Sequence, residues 1–70
     1  MGNLKFTAGS TTMIVGSGET DEAKALAFEL FHNEMMTLGE FQAATAHIKQ
    51  RGIIDMISDA FREVIAEEYA

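Results

Sequence analysis

The residues best suited to metal chemistry are Glu29 and His32, which stand three positions apart in a stretch with helical periodicity. A Glu-x-x-His pair lies on one face of a helix, and di-iron carboxylate bundles take such a pair from each of two helices. Those sites also need glutamates from facing helices, and the sequence identifies none. A helical homo-oligomer with a metal site at this pair is therefore an alternative, while the main prediction includes no metal or cofactor.

Four carboxylates at unbroken four-residue spacing distinguish the C-terminal segment, and we call them the acidic row: Asp55, Asp59, Glu63 and Glu67. That spacing aligns side chains along one side of an α-helix. Like charges so placed destabilise a helix by about 0.2–0.5 kcal/mol per pair, and Arg62 is the nearest cation in sequence. The row is either the solvated back of an amphipathic helix or a surface for a basic partner. We take it as the candidate partner-binding site.

Nucleotide binding and nucleophilic catalysis have weak support. Gly16-Ser17-Gly18 imitates the start of a glycine-rich phosphate loop, but the third glycine and the lysine of that motif are missing. The acidic residues that follow would repel phosphate. Cysteine is absent, and neither histidine has an evident serine and carboxylate set. We therefore predict that the protein is not an enzyme.

Composition predicts one small domain over residues 1–70, with 47% apolar residues and a net charge of −6. A chain of this size buries only about 60% of its unfolded surface. Association into a homodimer would hide the apolar excess. The negative charge disfavours nucleic acid and favours basic protein surfaces. No apolar run approaches the roughly 18 residues of a membrane span, and no secretory signal is evident, so a cytoplasmic protein without membrane contact is expected.

The elements that must position these residues follow from periodicity. Alternating apolar residues and the Gly9-Ser10 turn predict a β-hairpin over 4–15, followed by a linker at 16–19 and a helical part over 20–69. Within that part, Thr20 is the expected N-cap of a first helix over 21–36. A capping box at Thr37 and Glu40 starts a second helix at 38. Gly52 would end that helix as a C-cap, and a third would span 53–69.

The first helix also supplies the expected dimer seam. Its apolar residues spread over roughly 200° of the helix surface, more than one intrachain neighbour needs. We therefore expect one part of this arc to pack within the chain and another against a second copy. The expected seam residues are Leu26, Phe28, Leu30, Phe31 and Met35.

Together these features predict a helix-rich α+β homodimer that acts as a small acidic regulatory or inhibitory protein, of the type found in phages and mobile elements. Its partner would present a basic surface, such as that of a nucleic-acid-binding factor. A small DNA-binding regulator is a second alternative, because two helices meeting near Gly52 could form a helix-turn-helix. The acidic row would then face phosphate, which disfavours direct nucleic-acid binding.

Overall fold

A computed structural model describes residues 3–70, and Met1 and Gly2 lie outside the described part. Two strands, β1 (Asn3–Ala8) and β2 (Thr11–Gly16), form an antiparallel hairpin. Three helices follow: α1 (Thr20–His32), α2 (Leu38–Ala44) and α3 (Arg51–Glu68). The predicted helix-rich α+β class is confirmed, and the hairpin is one residue longer at each end than expected.

The hairpin follows the alternation of its side chains. Leu4 and Phe6 on β1 and Val15 on β2 are buried against the helices, while the alternate residues Lys5, Thr7, Thr12 and Ile14 are exposed. Ala8 pairs with Thr11, so Gly9 and Ser10 form a two-residue turn. Gly9 has a φ of +57°, a conformation that glycine adopts without the steric penalty of a side chain.

Helix α1 differs from its prediction at both ends. It begins at Thr20, with Glu19 rather than Thr20 at the N-cap, and no side chain caps it. It ends at His32 and not at Met36, because the Glu34 carboxylate turns back to the hairpin. There Glu34 accepts hydrogen bonds from the Ser10 N–H and the Ser10 and Thr11 hydroxyls, at 2.9–3.0 Å. This tertiary contact outweighs the apolar periodicity that would extend the helix.

Helix α2 begins where the sequence predicts. The Glu40 N–H donates to the Thr37 hydroxyl at 3.1 Å, and the Thr37 N–H donates to the Glu40 carboxylate at 2.9 Å. These two bonds form the complete capping box.

The expected end of the second helix at Gly52 was wrong. Helix α2 stops at Ala44, and Gly52 lies inside α3. The buried Thr45 hydroxyl donates to the Phe41 carbonyl at 2.8 Å, a local bond that competes with helix continuation. The Arg51 guanidinium then donates to the Thr45 carbonyl at 2.8 Å and thereby closes the connection into α3.

A chain of aromatic rings in the core joins three of the five elements, β1, α2 and α3. The Phe41 ring lies 5.4 Å from that of Phe6 on β1 and 5.4 Å from that of Phe61 on α3, measured between ring centroids. Around these rings lie small and branched side chains from α1 and α3. The buried set from these two helices is Ala23, Leu26, Ala27, Leu30, Ile53, Ile54, Ile57, Ala60 and Val64.

Across residues 3–70, none of the helices combines the length and the apolar character required to span a bilayer.

Candidate functional site

Helix α3 places the acidic row on the protein surface. Its isoleucines and Phe61 pack into the core, because they recur at three- and four-residue spacing along one side. The carboxylates of the row are exposed on the other side. From Asp55 to Glu67 the row extends about 18 Å at 1.5 Å per residue.

Two of the four carboxylates form ion pairs. Asp59 pairs with Arg62 one turn away at 2.8 Å, as the sequence suggested. Glu67 pairs with Lys24 of α1 at 2.9 Å. The hydrogen bond and charge of Glu67, with a further contribution from the charge of Glu63, raise the pKa of Lys24 above its ordinary value.

Lys24 was not predicted to take part in this site. It interrupts the apolar arc of α1, and that interruption is the signal that it faces a charged neighbour. Its partner could not be identified from sequence, because the pairing depends on α1 and α3 lying side by side. The two helices run in the same direction: Thr20 borders the same groove as Met56, and His32 reaches Glu68 at the far end.

A groove lies on each side of the acidic row. The first, between α1 and α3, has a volume of about 420 Å³ and is lined by Lys24, Asp59 and Glu63 among others. The second, between α2 and α3, has a volume of about 400 Å³ and brings Arg51 and Arg62 close to the row. Three cations therefore flank the row, and the surface is less uniformly negative than the spacing alone indicates.

Asp55 and Glu63 differ from the other two members of the row. Within residues 3–70 neither carboxylate has an ion-pair or hydrogen-bond partner, and both are exposed. Neither carboxylate is in direct contact with a cation of the described residues, although the charge of Glu63 acts on Lys24 across the groove that they share. Asp55 and Glu63 are the groups most available to a lysine or arginine of another molecule.

The expected seam residues divide between the core and the surface. Leu26 and Leu30 are fully buried within the chain itself. Phe31 is partly buried against the core, whereas Phe28 and Met35 are exposed. The part of the arc that remains for a second copy is therefore confined to the C-terminal end of α1.

Glu29 and His32 each have other partners. Glu29 accepts a hydrogen bond from the Asn33 side chain. The His32 ring lies between Phe28 and Phe31, at centroid distances of 4.3 and 5.1 Å, and its Nε2 lies 3.4 Å from a Glu68 carboxylate oxygen. In the described part of the chain, no three histidine, aspartate or glutamate side chains are grouped as metal ligands.

No protein-family model matches the chain, and no curated protein or solved structure matches it. A function must therefore be argued from the surface itself.

Proposed function

We propose that the chain is a small non-enzymatic regulatory or inhibitory protein that binds a basic surface of a partner protein through the acidic row. The single observation behind this proposal is the row itself, in which four exposed carboxylates repeat at one helical turn and two of them form no ion pair within residues 3–70. Their separation of about 6 Å is close to that of phosphates along a nucleic-acid strand. A protein surface that otherwise contacts nucleic acid is thus a suitable partner.

The two existing ion pairs do not prevent such binding. Lys24 and Arg62 are exposed, as are the carboxylates they contact. Ion pairs in this setting contribute little to folding stability. A partner's lysine or arginine can therefore replace Lys24 or Arg62 without unfolding the chain.

The test is the double substitution Asp55→Lys/Glu63→Lys, which reverses the charge of the two carboxylates that form no ion pair in the described part of the chain. The immobilised chain and this variant are each exposed to extract from the cells of origin, and the captured proteins are compared. We expect the variant to lose the partner. Raising the salt from about 50 to about 300 mM should also release it, because the Debye length falls from about 14 to about 6 Å.

The matched control is Glu19→Lys/Glu22→Lys, which changes the net charge equally at exposed positions away from the row. We expect this control to retain the partner. Circular dichroism establishes that both variants are folded. Equal capture by the chain and both variants would show that the row is ordinary solvated surface.

We also propose the homodimer that the apolar content predicts. Leu26 and Leu30 are buried in the chain's own core and cannot contact a second copy. The support for a homodimer is therefore the exposed apolar surface at the end of α1. Sedimentation at micromolar concentrations tests the proposal, since a monomer of 7.7 kDa and a dimer sediment differently. A chain that stays a folded monomer from that range up to about 1 mM would rule it out.

A further inference from the structure

Exposed apolar side chains gather where α1 and α3 end. Four large hydrophobic residues are exposed in residues 3–70, and three of them lie at this end: Phe28 at 51%, Met35 at 81% and Tyr69 at 76%. Phe28 stacks on His32, and His32 and Tyr69 border a common groove. We call this surface the terminal patch, formed by Phe28, Phe31, Met35 and Tyr69.

Met35 has a backbone conformation that its side chain disfavours. Its φ is +54°, in the left-handed region where the Cβ of an ordinary residue is crowded. Glycine or asparagine would adopt this backbone conformation with less strain. The chain instead has a long apolar side chain here, and most of that side chain is in solvent.

A groove of about 350 Å³ lies beside Met35. The partly buried Phe31 and Met36 line it together with Tyr69, and its polar members include Glu68 and His32, which contact each other at 3.4 Å. The terminal patch therefore combines a protruding flexible side chain with an apolar recess. Two-fold symmetric interfaces use such self-complementary surfaces, since each copy supplies both parts.

We infer that the terminal patch is the interface of a symmetric homodimer, in which Met35 of each copy enters the groove between Phe31 and Tyr69 of the other. This inference deepens the homodimer proposed above and rests on it, and it is independent of the function proposed for the acidic row. Methionine suits this contact because its unbranched thioether adapts to irregular apolar surfaces.

The apolar surface that the terminal patch could bury is large enough for a weak but specific dimer. The exposed parts of Phe28, Met35 and Tyr69 amount to roughly 400 Å² on each copy, taking 150–250 Å² for each large side chain. With the partly buried neighbours, two copies would bury about 1,000 Å² in total, the lower bound for a specific interface. We therefore expect a dimer dissociation constant in the micromolar range.

The salt dependence of the dimer should differ from that of a partner bound at the acidic row. The two copies carry like net charges, so higher salt should tighten the dimer, whereas it should weaken binding at the row.

The test is sedimentation equilibrium of Met35→Gly beside the unsubstituted chain. Glycine favours the left-handed conformation of residue 35, so the variant folds while losing the side chain that enters the groove. We expect its dimer dissociation constant to rise at least about a hundredfold, because the symmetric interface loses two buried methionines and each contributes about tenfold or more. Tyr69→Ser removes the opposite wall of the groove and should have a similar effect. Ile14→Thr, which alters the fourth exposed hydrophobic residue on the hairpin, is the control and should leave the constant unchanged.

The sedimentation results distinguish an error in the assigned interface from the absence of a homodimer. A dimer that Met35→Gly and Tyr69→Ser leave intact would overturn the assigned interface while keeping the homodimer. A chain that stays monomeric to about 1 mM would overturn both, and the terminal patch would then be available to a different protein. Asp55→Lys/Glu63→Lys should still dimerise, so a failure of the row proposal can be distinguished from a failure of this one.

Discussion

The Glu34 carboxylate occupies the space that a side chain at Gly9 would need, so any other residue at position 9 would displace that carboxylate from the hairpin turn. The same carboxylate accepts three hydrogen bonds from Ser10 and Thr11. One side chain thereby fixes the tip of the hairpin against the connection between α1 and α2.

Gly9→Ala should lower the free energy of unfolding by about 2 kcal/mol. About 1 kcal/mol comes from the positive φ, and the remainder from displacement of Glu34 and loss of its hydrogen bonds. Urea denaturation measures the change. Gly18→Ala is the control, because Gly18 also has a positive φ but has no atom near its added Cβ. If the two variants lost equal stability, Glu34 would have no part in holding the turn.

Glu34 should make the fold more sensitive to acid. Hydrogen bonds from the Ser10 and Thr11 hydroxyls lower the pKa of Glu34 below its ordinary value. Because the folded pKa lies below the unfolded one, the stabilisation is fully present above about pH 4.3 and is lost as the pH falls through the folded pKa. Between pH 5 and 3, urea denaturation should show a smaller loss of stability in Glu34→Gln than in the unsubstituted chain. Parallel pH profiles would contradict the prediction.

The capping box of α2 should contribute measurably to folding. Thr37→Ala removes the hydroxyl that accepts from the Glu40 N–H, and we expect a loss of about 1 kcal/mol. Thr37→Ser keeps that oxygen and should remain within about 0.5 kcal/mol of the unsubstituted chain. Thermal denaturation of the two variants distinguishes a capping effect from a general sensitivity of this position.

Phe41 should be the most sensitive core position, because its ring contacts both Phe6 and Phe61. Phe41→Leu should lower the free energy of unfolding by about 1–2 kcal/mol through lost packing. The exposed Phe28 offers the matched control, since Phe28→Leu should change the free energy of unfolding of the monomer by no more than about 0.5 kcal/mol. Chemical denaturation at low protein concentration measures both, and similar losses would contradict a core organised around Phe41.

Local sequence patterns predicted the bounds of an element correctly where the interactions that set those bounds are themselves local. The hairpin follows from alternation and a glycine turn, and α2 starts where Thr37 and Glu40 predict. The predicted C-terminal ends of α1 and α2 were wrong, because each end depends on a contact that sequence spacing does not reveal. Glu34 binds a turn that lies more than twenty residues earlier, and Arg51 folds back onto the Thr45 carbonyl.

For the acidic row, too, the sequence predicts the local interactions but not the contacts between helices. Its exposure and the Asp59–Arg62 pair follow from helical spacing. The pairing of Glu67 with Lys24 does not, because it requires the relative placement of α1 and α3. Leu26 and Leu30 could not be separated from Phe28 and Met35 by periodicity either, since a wide apolar arc does not say which neighbour covers which part.

The chain of rings from Phe6 through Phe41 to Phe61 has a consequence for synthesis on the ribosome. Phe6 is synthesised well before Phe61, yet the two are joined in the core through Phe41. A two-stranded hairpin is at best marginally stable in water on its own. The N-terminal strands should therefore stay unfolded and open to chaperones until α3 has left the ribosomal tunnel.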